Sequence, residues 1–379
     1  MKKGWQTKRL GEVCEIIKGR KPALKATQSP GDLPYLVAKV MRGSQEAEYA
    51  SMKDRNSITV AEHETIIICD GSNSGEVFTA FSGVLSSTMG KIAKKSEVDD
   101  NFLRAFLAST FDIFNGAKTG SAIPHLDKEA MYALEFPVPP LPEQQRIVGI
   151  LDEAFDGIAT AKTNAEKNLQ NARALFESHL QSVFTQRGKG WVDKQLGDVC
   201  ELFQGLCINA KTKHLLVKKS SLPLLRIKDL RTNSVEQFVA ETGWPKNAQV
   251  NESEIIYTRT GQIGLVFRGR VGVLHNNCFK VRPKPVLNSG YLFWWLQNPA
   301  FRARITTLAS KAAQPDITHS LFKVQPILLP PRDYQDRAIT LIDGMRQETQ
   351  RLVHLYERKL AALEALKKSL LHQAFSGEL

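Results

Sequence analysis

The sequence predicts an α+β chain: two tandem mixed α/β domains separated by a long antiparallel two-helix coiled coil, with an internal pseudo-two-fold repeat. Three observations predict it. Residues 142–184 and 333–375 each carry an apolar stripe at helical spacing. The chain repeats itself at offsets of 186 to 191 positions. Ahead of each helical stretch lie short β-branched runs that end in glycine-containing turns.

In the first long stretch, Ile147, Leu151, Ala154, Ile158, Ala161 and Ala165 step by four and three. The stripe then drifts to Leu169, Ala172, Phe176, Leu180 and Val183. Such steps put side chains on one side of an α-helix. At about 1.5 Å per residue the stretch makes a rod of roughly 60 Å. A globular helix usually runs about 8–20 residues, so a rod this long needs a partner for its stripe. Pro142 and Glu143 suit a first turn, and Gly188 and Gly190 mark the end. In the second stretch Met345, Leu352, Tyr356, Leu363, Leu366 and Leu370 form the stripe. Asp333, with Asp336 three residues on, reads as an N-cap with its capping partner. Arg146 and Arg337, Asp152 and Asp343, Leu175 and Leu366, Phe184 and Phe375 are each 191 positions apart.

The repeat reaches beyond the helices. GWQTKRLGEVCEIIKG from Gly4 is answered by GWVDKQLGDVCELFQG from Gly190. Ile66-Ile67-Ile68, the turn after it and Val77-Phe78 are answered by Ile255-Ile256-Tyr257, a turn and Val266-Phe267, 189 positions on. Residues 101–114 and 290–308 read as short helices rich in Phe and Leu. The expected division is 1–140, a domain; 141–187, a helix; 188–330, a second domain; 331–379, a second helix. The short link after Phe184 cannot return a long rod to its start, so the second helix is expected to run back antiparallel. The product is a pseudo-dimer with a domain at each end and both termini at one end.

Composition narrows the function. A net charge of +12 and a pI near 9.4 point to a polyanionic partner, most often nucleic acid. At 42% hydrophobic and 24% charged residues, the chain has the apolar mass for real cores. The N-terminal residues lack the apolar run of a signal peptide, and no run has the length of a membrane span, so a cytoplasmic location is expected. Five cysteines, an odd number with no CxxC spacing, argue for reduced thiols and against a disulfide framework or zinc site.

Catalytic motifs are not found. Gly83–Lys91 has the wrong spacing for a phosphate-binding loop, and GxGxxG does not occur. Pro-Pro occurs only as Val-Pro-Pro-Leu and Leu-Pro-Pro-Arg, without the Asn/Asp-Pro-Pro-aromatic order used in methyl transfer to a base amine. Pro315-Asp316 with Glu357 and Lys359 imitates a nuclease set, but that Glu and Lys fall inside the helical stretch. His63, His125, His275 and His319 show no metal-ligand spacing. No catalytic and no metal residue is expected.

What remains is a binding vocabulary at equivalent places of the two repeats. Lys39 and Arg42 answer Lys228 and Arg231. Ser72, Asn73 and Ser74 sit in a turn answered by Arg259, Thr260 and Gln262. Thr88, in Ser86-Ser87-Thr88, is answered by Asn276 and Asn277. Lys118 and Ser121 are answered by Lys311 and Gln314. Arg and Lys hold phosphates or guanine edges, Asn and Gln read adenine, and Ser and Thr serve either. The glycines of these loops are expected to serve tight turns.

PLPEQQRIVGILDEAF at 140–155, KKSLLHQAFSGEL at 367–379, the paired openings GW…LGEVCE and GW…LGDVCE, and TGSAIPHLDKE at 119–129 together resemble the specificity subunit of type I restriction–modification enzymes. The resemblance covers the whole chain and its order of parts. It implies that the domains are target-recognition domains, each reading half of a bipartite double-stranded DNA site, and that the helices are the spacer. It implies a subunit with no activity of its own. It would dock two adenine-DNA methyltransferase subunits that use S-adenosylmethionine, and motor-nuclease restriction subunits that use ATP and Mg²⁺. One departure is that PPLPEQQR at the first helix becomes PPRDYQDR at the second. The rival readings are a coiled-coil scaffold without DNA recognition, and a nuclease or methyltransferase with an unrecognised motif. Two domains on one face of B-DNA need half-sites roughly 34 Å apart, shorter than the rods, so the domains are expected to lean inward along them.

Overall fold

A computed structural model describes residues 4–116, 124–310 and 315–379. The chain divides into two compact units, Met1–Glu166 with Arg358–Leu379, and Lys167–Glu357. The division falls inside both long helices, Leu141–Thr185 and Arg332–Ser376, each of 45 residues.

In the first unit a four-stranded antiparallel sheet runs in the order Cys14–Lys18, Met89–Lys94, Thr65–Ile68, Val77–Thr79. Thr65–Ile68 is buried along its whole length, and its side chains alternate between two cores. Ile67 packs with Phe102, Phe106 and Ile147 on one face, whereas Ile66 and Ile68 pack with Leu36 and Leu85 on the other. This is the two-residue period of a strand buried on both sides. Behind the second core lies a five-stranded sheet in which Asp32–Leu36 pairs parallel with Gly83–Leu85. Gln6–Arg9 and Glu135–Val138 form a two-stranded ribbon.

The second unit repeats the main sheet strand for strand: Cys200–Gln204, Cys278–Pro283, Ile255–Thr258, Val266–Phe267. Ile255 and Tyr257 face one core and Ile256 another. Val192–Gln195 and Pro326–Leu329 make the equivalent ribbon. The second layer is where the units diverge. It is reduced to three strands, with Leu224–Leu225 parallel to Gly272–Leu274, and a separate pair, Leu216–Val217 with Phe238–Val239. The expected mixed α/β class is observed in both units.

One glutamine anchors the start of each long helix. Gln144 is buried; its Nε2 donates to the Pro139 carbonyl at 2.8 Å, and its Oε1 accepts from the Asp99 amide at 2.9 Å. Gln335 does the same with the Pro330 carbonyl at 2.9 Å and the Asn288 amide at 2.7 Å. Asp99 and Asn288 are the N-caps of the helices Asp100–Ser109 and Ser289–Trp295. The departure noted at PPRDYQDR thus spares the residue that does this work. The second helix opens at Arg332, so Asp333 lies in its first turn rather than capping it. There Asp333 takes Arg337 at 2.9 Å and Asp336 takes Arg332 at 3.3 Å.

Within the first unit the two helical segments run in opposite senses: Arg146 Nη2 donates to the Leu379 carbonyl at 2.8 Å, and Lys162 meets Glu364 at 2.8 Å. Phe375 stands edge-on to Phe102 and Phe106, each at 5.2 Å. Within the second unit, Tyr334 Oη donates to the Val183 carbonyl at 3.3 Å and Arg173 meets Glu357 at 3.4 Å, again in opposite senses. The first stripe is buried or half-buried at every position from Ile147 to Val183. The second is half-buried except at Leu366, which is 48% exposed, because the covered positions here are Leu370, Leu371 and Ala374. Its repeat equivalent Leu175 is likewise 67% exposed. Leu371→Ala is expected to cost about 2–5 kcal/mol, and Leu366→Ala no more than about 0.5 kcal/mol. Urea denaturation of the two variants checks this, and equal losses would show that Leu366 is covered.

Candidate nucleic-acid interface

Of the candidate residues, Ser72, Asn73, Ser74, Arg259, Thr260 and Gln262 lie on the turn that follows the buried strand Thr65–Ile68 or Ile255–Thr258, Thr88, Asn276 and Asn277 on the neighbouring loop, and Lys39, Arg42, Lys228 and Arg231 on or beside a short helix. In the first unit the turn 70–76 is built by Gly71 and Gly75, both with positive φ, at 117° and 97°. Gly75 N donates to the Ile68 carbonyl and Gly71 N to the Pro124 carbonyl, each at 2.8 Å. Thr88 enters from the neighbouring loop, where its carbonyl accepts from the amides of Cys69 at 2.8 Å and Asp70 at 3.1 Å. Its hydroxyl meets Ser86 Oγ at 2.9 Å. Arg42, at the C-terminus of Ala38–Met41, reaches the same turn. It bonds Glu76 and lies over the Phe78 ring at 5.9 Å. The Asn73 side-chain amide lies between Ser72, Arg42 and Glu76, and with its oxygen turned towards Arg42 it accepts from Nη2 at 2.8 Å. Lys39 and Ser72 are exposed beside these groups. Ser74 is not available to a partner: it is fully buried, its hydroxyl unpaired, because the turn folds it inward.

In the second unit Gly261 and Gly264 carry the positive φ, at 69° and 78°. The Arg259 amide donates to the Asn277 carbonyl at 2.9 Å, joining the turn to the loop of Asn276 and Asn277, both half-buried. Asn277 N donates to His275 Nδ1 at 3.3 Å; burial, then Arg226, push that imidazole below its ordinary value. Gln262 is exposed, whereas Thr260 is half-buried with its Oγ1 enclosed and unpaired. Lys228, on Ile227–Thr232, bonds Glu236, which Arg226 also takes at 3.0 Å. Arg231 is exposed with no ion pair among the described residues. Lys118, Ser121, Lys311 and Gln314 lie outside the described residues.

Two further clusters adjoin the turns. Asp70 receives Lys18 Nζ on one oxygen and His125 Nδ1 on the other, each at 2.7 Å. Burial pushes its carboxyl up, but Lys18 and His125 together pull it below the usual range. At the matching place Arg259 donates from Nε to Asp316 at 2.9 Å, from Nη2 to the other Asp316 oxygen, and from Nη1 to Gln204 Oε1 at 3.1 Å. Sequence reasoning missed Lys18, Asp70, Gln204 and Asp316 as partners. The signal was available in the repeat, since each falls at an equivalent position, but their separations hide it. Asp316 thus belongs to Arg259 and Glu357 to Arg173, so the nuclease-like set does not assemble.

Gly19 and Gly205 let the loops close. A Cβ at Gly19 would stand 2.2 Å from the Ser86 carbonyl oxygen, and one at Gly205 2.3 Å from that of His275. Any side chain would push the neighbouring loop away. Among the described residues no group of side chains could hold a metal ion, and no helix is long and apolar enough to cross a membrane. All five cysteines are free; burial raises the thiols of Cys14 and Cys69 to about 11 and of Cys200 and Cys278 to about 12.

The model of a type I restriction modification DNA specificity domain matches residues 2–170 and again 188–363. The chain is similar to the type I restriction enzyme MjaVIII specificity subunit of Methanocaldococcus jannaschii, 29% identical over 202 residues. That match spans 52% of this chain and 46% of the relative, about half its length. The MjaIX specificity subunit of the same organism is 22% identical over 415 residues, spanning 100% of this chain and 94% of that one. A chain from a solved type I R-M system shares the fold at TM-score 0.80 and 18% identity, covering 100% and 99%. The HsdS subunit from Thermoanaerobacter tengcongensis does so at TM-score 0.62 and 18% identity, covering 100% and 98%.

On duplex DNA, affinity is expected to fall by orders of magnitude between roughly 50 and 200 mM salt. Lys39→Ala and Arg231→Ala should each weaken binding on any sequence and lower the salt slope by about one. Ser74→Ala should leave both unchanged. Anisotropy titrations across salt concentrations measure all three, and a salt-insensitive complex would remove the electrostatic reading.

Proposed function

The chain belongs to the type I restriction modification DNA specificity family, as a specificity subunit rather than an enzyme, and from that premise we propose that each unit reads one half of a bipartite duplex site. The observation that supports this is the pairing of one architecture with two sets of surface chemistry. The main sheet recurs strand for strand, while the turn GSNSG faces TGQIG and the second layer differs in strand number. A constant frame with variable loops is how a scaffold carries specificity. Phosphates would draw Lys39, Arg42, Lys228 and Arg231. Exchanging the half-buried Glu76 or the exposed Glu236 for a phosphate costs little, since ion pairs open to solvent contribute about 0–1 kcal/mol. Ser72, Asn73, Thr88, Gln262, Asn276 and Asn277 carry the donors and acceptors for base edges. On this reading 1–140 and 188–330 are the target-recognition domains, and 141–187 and 331–379 form an antiparallel coiled-coil spacer. The spacer would dock two adenine-DNA methyltransferase subunits and the motor-nuclease subunits. S-adenosylmethionine, ATP and Mg²⁺ would act in those partners.

Replacing residues 1–140 with the equivalent region of a relative of different target should change one half of the methylated sequence only. Methylome sequencing reads the outcome, and a change in both halves would end the modular reading. Inserting seven residues in each long helix at matching levels adds about 10 Å of rod. The expected result is a longer gap, or lost binding, with both half-sequences intact. A folded insert that keeps the original gap would show that the helices are not the ruler.

A further inference from the structure

We propose that Asp70 in the first unit and Arg259 in the second are positioning residues, each the centre of an ion-pair latch that holds the reading turn in place and reads no base itself. The inference rests on the half-site reading above. Its geometry stands in each unit separately.

The two latches occupy the same place. Lys18 and Gln204 end the first strand of their sheets, opposite Gly90 and Phe279, which are equivalent positions of the repeat. Asp70 and Arg259 lead the turn after the central strand. His125 and Asp316 come from the chain returning before a short helix, and each return is stitched to the turn by an isolated bridge, Asp70 with His125 and Thr260 with Asp316. Backbone bonds join the same two segments, shifted by one residue in the second unit: Leu126 N donates to the carbonyl of Cys69, which precedes Asp70, at 2.8 Å, and Ile317 N to the carbonyl of Arg259 itself at 3.0 Å.

The chemistry is inverted. One unit has cation, carboxylate, imidazole; the other has amide, guanidinium, carboxylate. In both, the central side chain turns its capacity inward. Both Asp70 oxygens are taken, and Arg259 is bound through Nε, Nη1 and Nη2. The side chains are only 15% and 21% exposed. A carboxylate can only accept and a guanidinium can only donate, so what the two share is the bond across three chain segments.

The test transplants one latch into the other unit. In the full chain, Asp70→Arg places a guanidinium beside Lys18 and His125. It should speed hydrogen exchange at the Gly71 and Leu126 amides and weaken DNA binding by at least about tenfold. The triple variant K18Q/D70R/H125D recreates the second unit's latch. It should restore amide protection and bring affinity within about threefold of the original, with the half-site sequence unchanged. Asp70→Asn, which keeps the shape and loses the charge, should lie between. The proposal is overturned if the triple variant fails to fold or to recover, if its half-site sequence changes, or if Asp70→Asn and Asp70→Arg leave exchange and binding as they were. Exchange is read without DNA, so it reports on the latch even where swapping residues 1–140 disproves the half-site reading.

Discussion

The buried glutamine at the root of each long helix is the constraint on which the rest depends. Gln144 and Gln335 each accept the amide of another helix's N-cap and donate to the carbonyl that precedes their own helix. A buried amide left unpaired is costly, so both ends of the side chain must be satisfied at once. This fixes the direction in which each long helix leaves its sheet. Everything further along, Ile147 and Leu151 against Phe102 in one unit and Ala338 and Ile342 against Tyr291 in the other, follows from that exit.

The main sheet supplies the second level of order. Its central strand is buried on both faces, so its register cannot slip without moving a row of isoleucines from one core to the other. The turn that follows inherits that rigidity. Glycines at 71, 75, 261 and 264 supply the left-handed backbone the turns need, and the glycines at 19 and 205 let the adjacent loop approach. The polar side chains at the surface are therefore carried on a frame that the two units share, and the frame tolerates replacement of the side chains.

The charge of the chain is distributed accordingly. Several candidate cations are already paired, Arg42 with Glu76, Lys228 with Glu236 and Arg259 with Asp316. The first two pairs are exposed enough to exchange a carboxylate for a phosphate. The third is more enclosed and bound through three nitrogens. One residue type in equivalent turns can thus serve attraction in one place and architecture in another, and burial with partner count tells them apart.

Much of this was legible in the residues. Three- and four-residue spacing located both long helices to within a residue or two, because helical periodicity is local. The offsets of 186 to 191 revealed two copies of one unit, and β-branched runs before glycines marked the central strands. Membership of the family was legible too, in motifs spread over the whole chain. Folding alone settled which polar side chains face outward. Ser74 and Ser72 are alike on the page, yet one is buried and the other exposed. Asp70 and His125 are separated by 55 positions, Arg259 and Asp316 by 57, and no local pattern couples them. Leu366 and Leu371 fit an apolar stripe equally well, but only Leu371 meets the core. The reason is physical: periodicity and turn chemistry depend on neighbours in the chain, whereas pairing and burial depend on which distant segments converge.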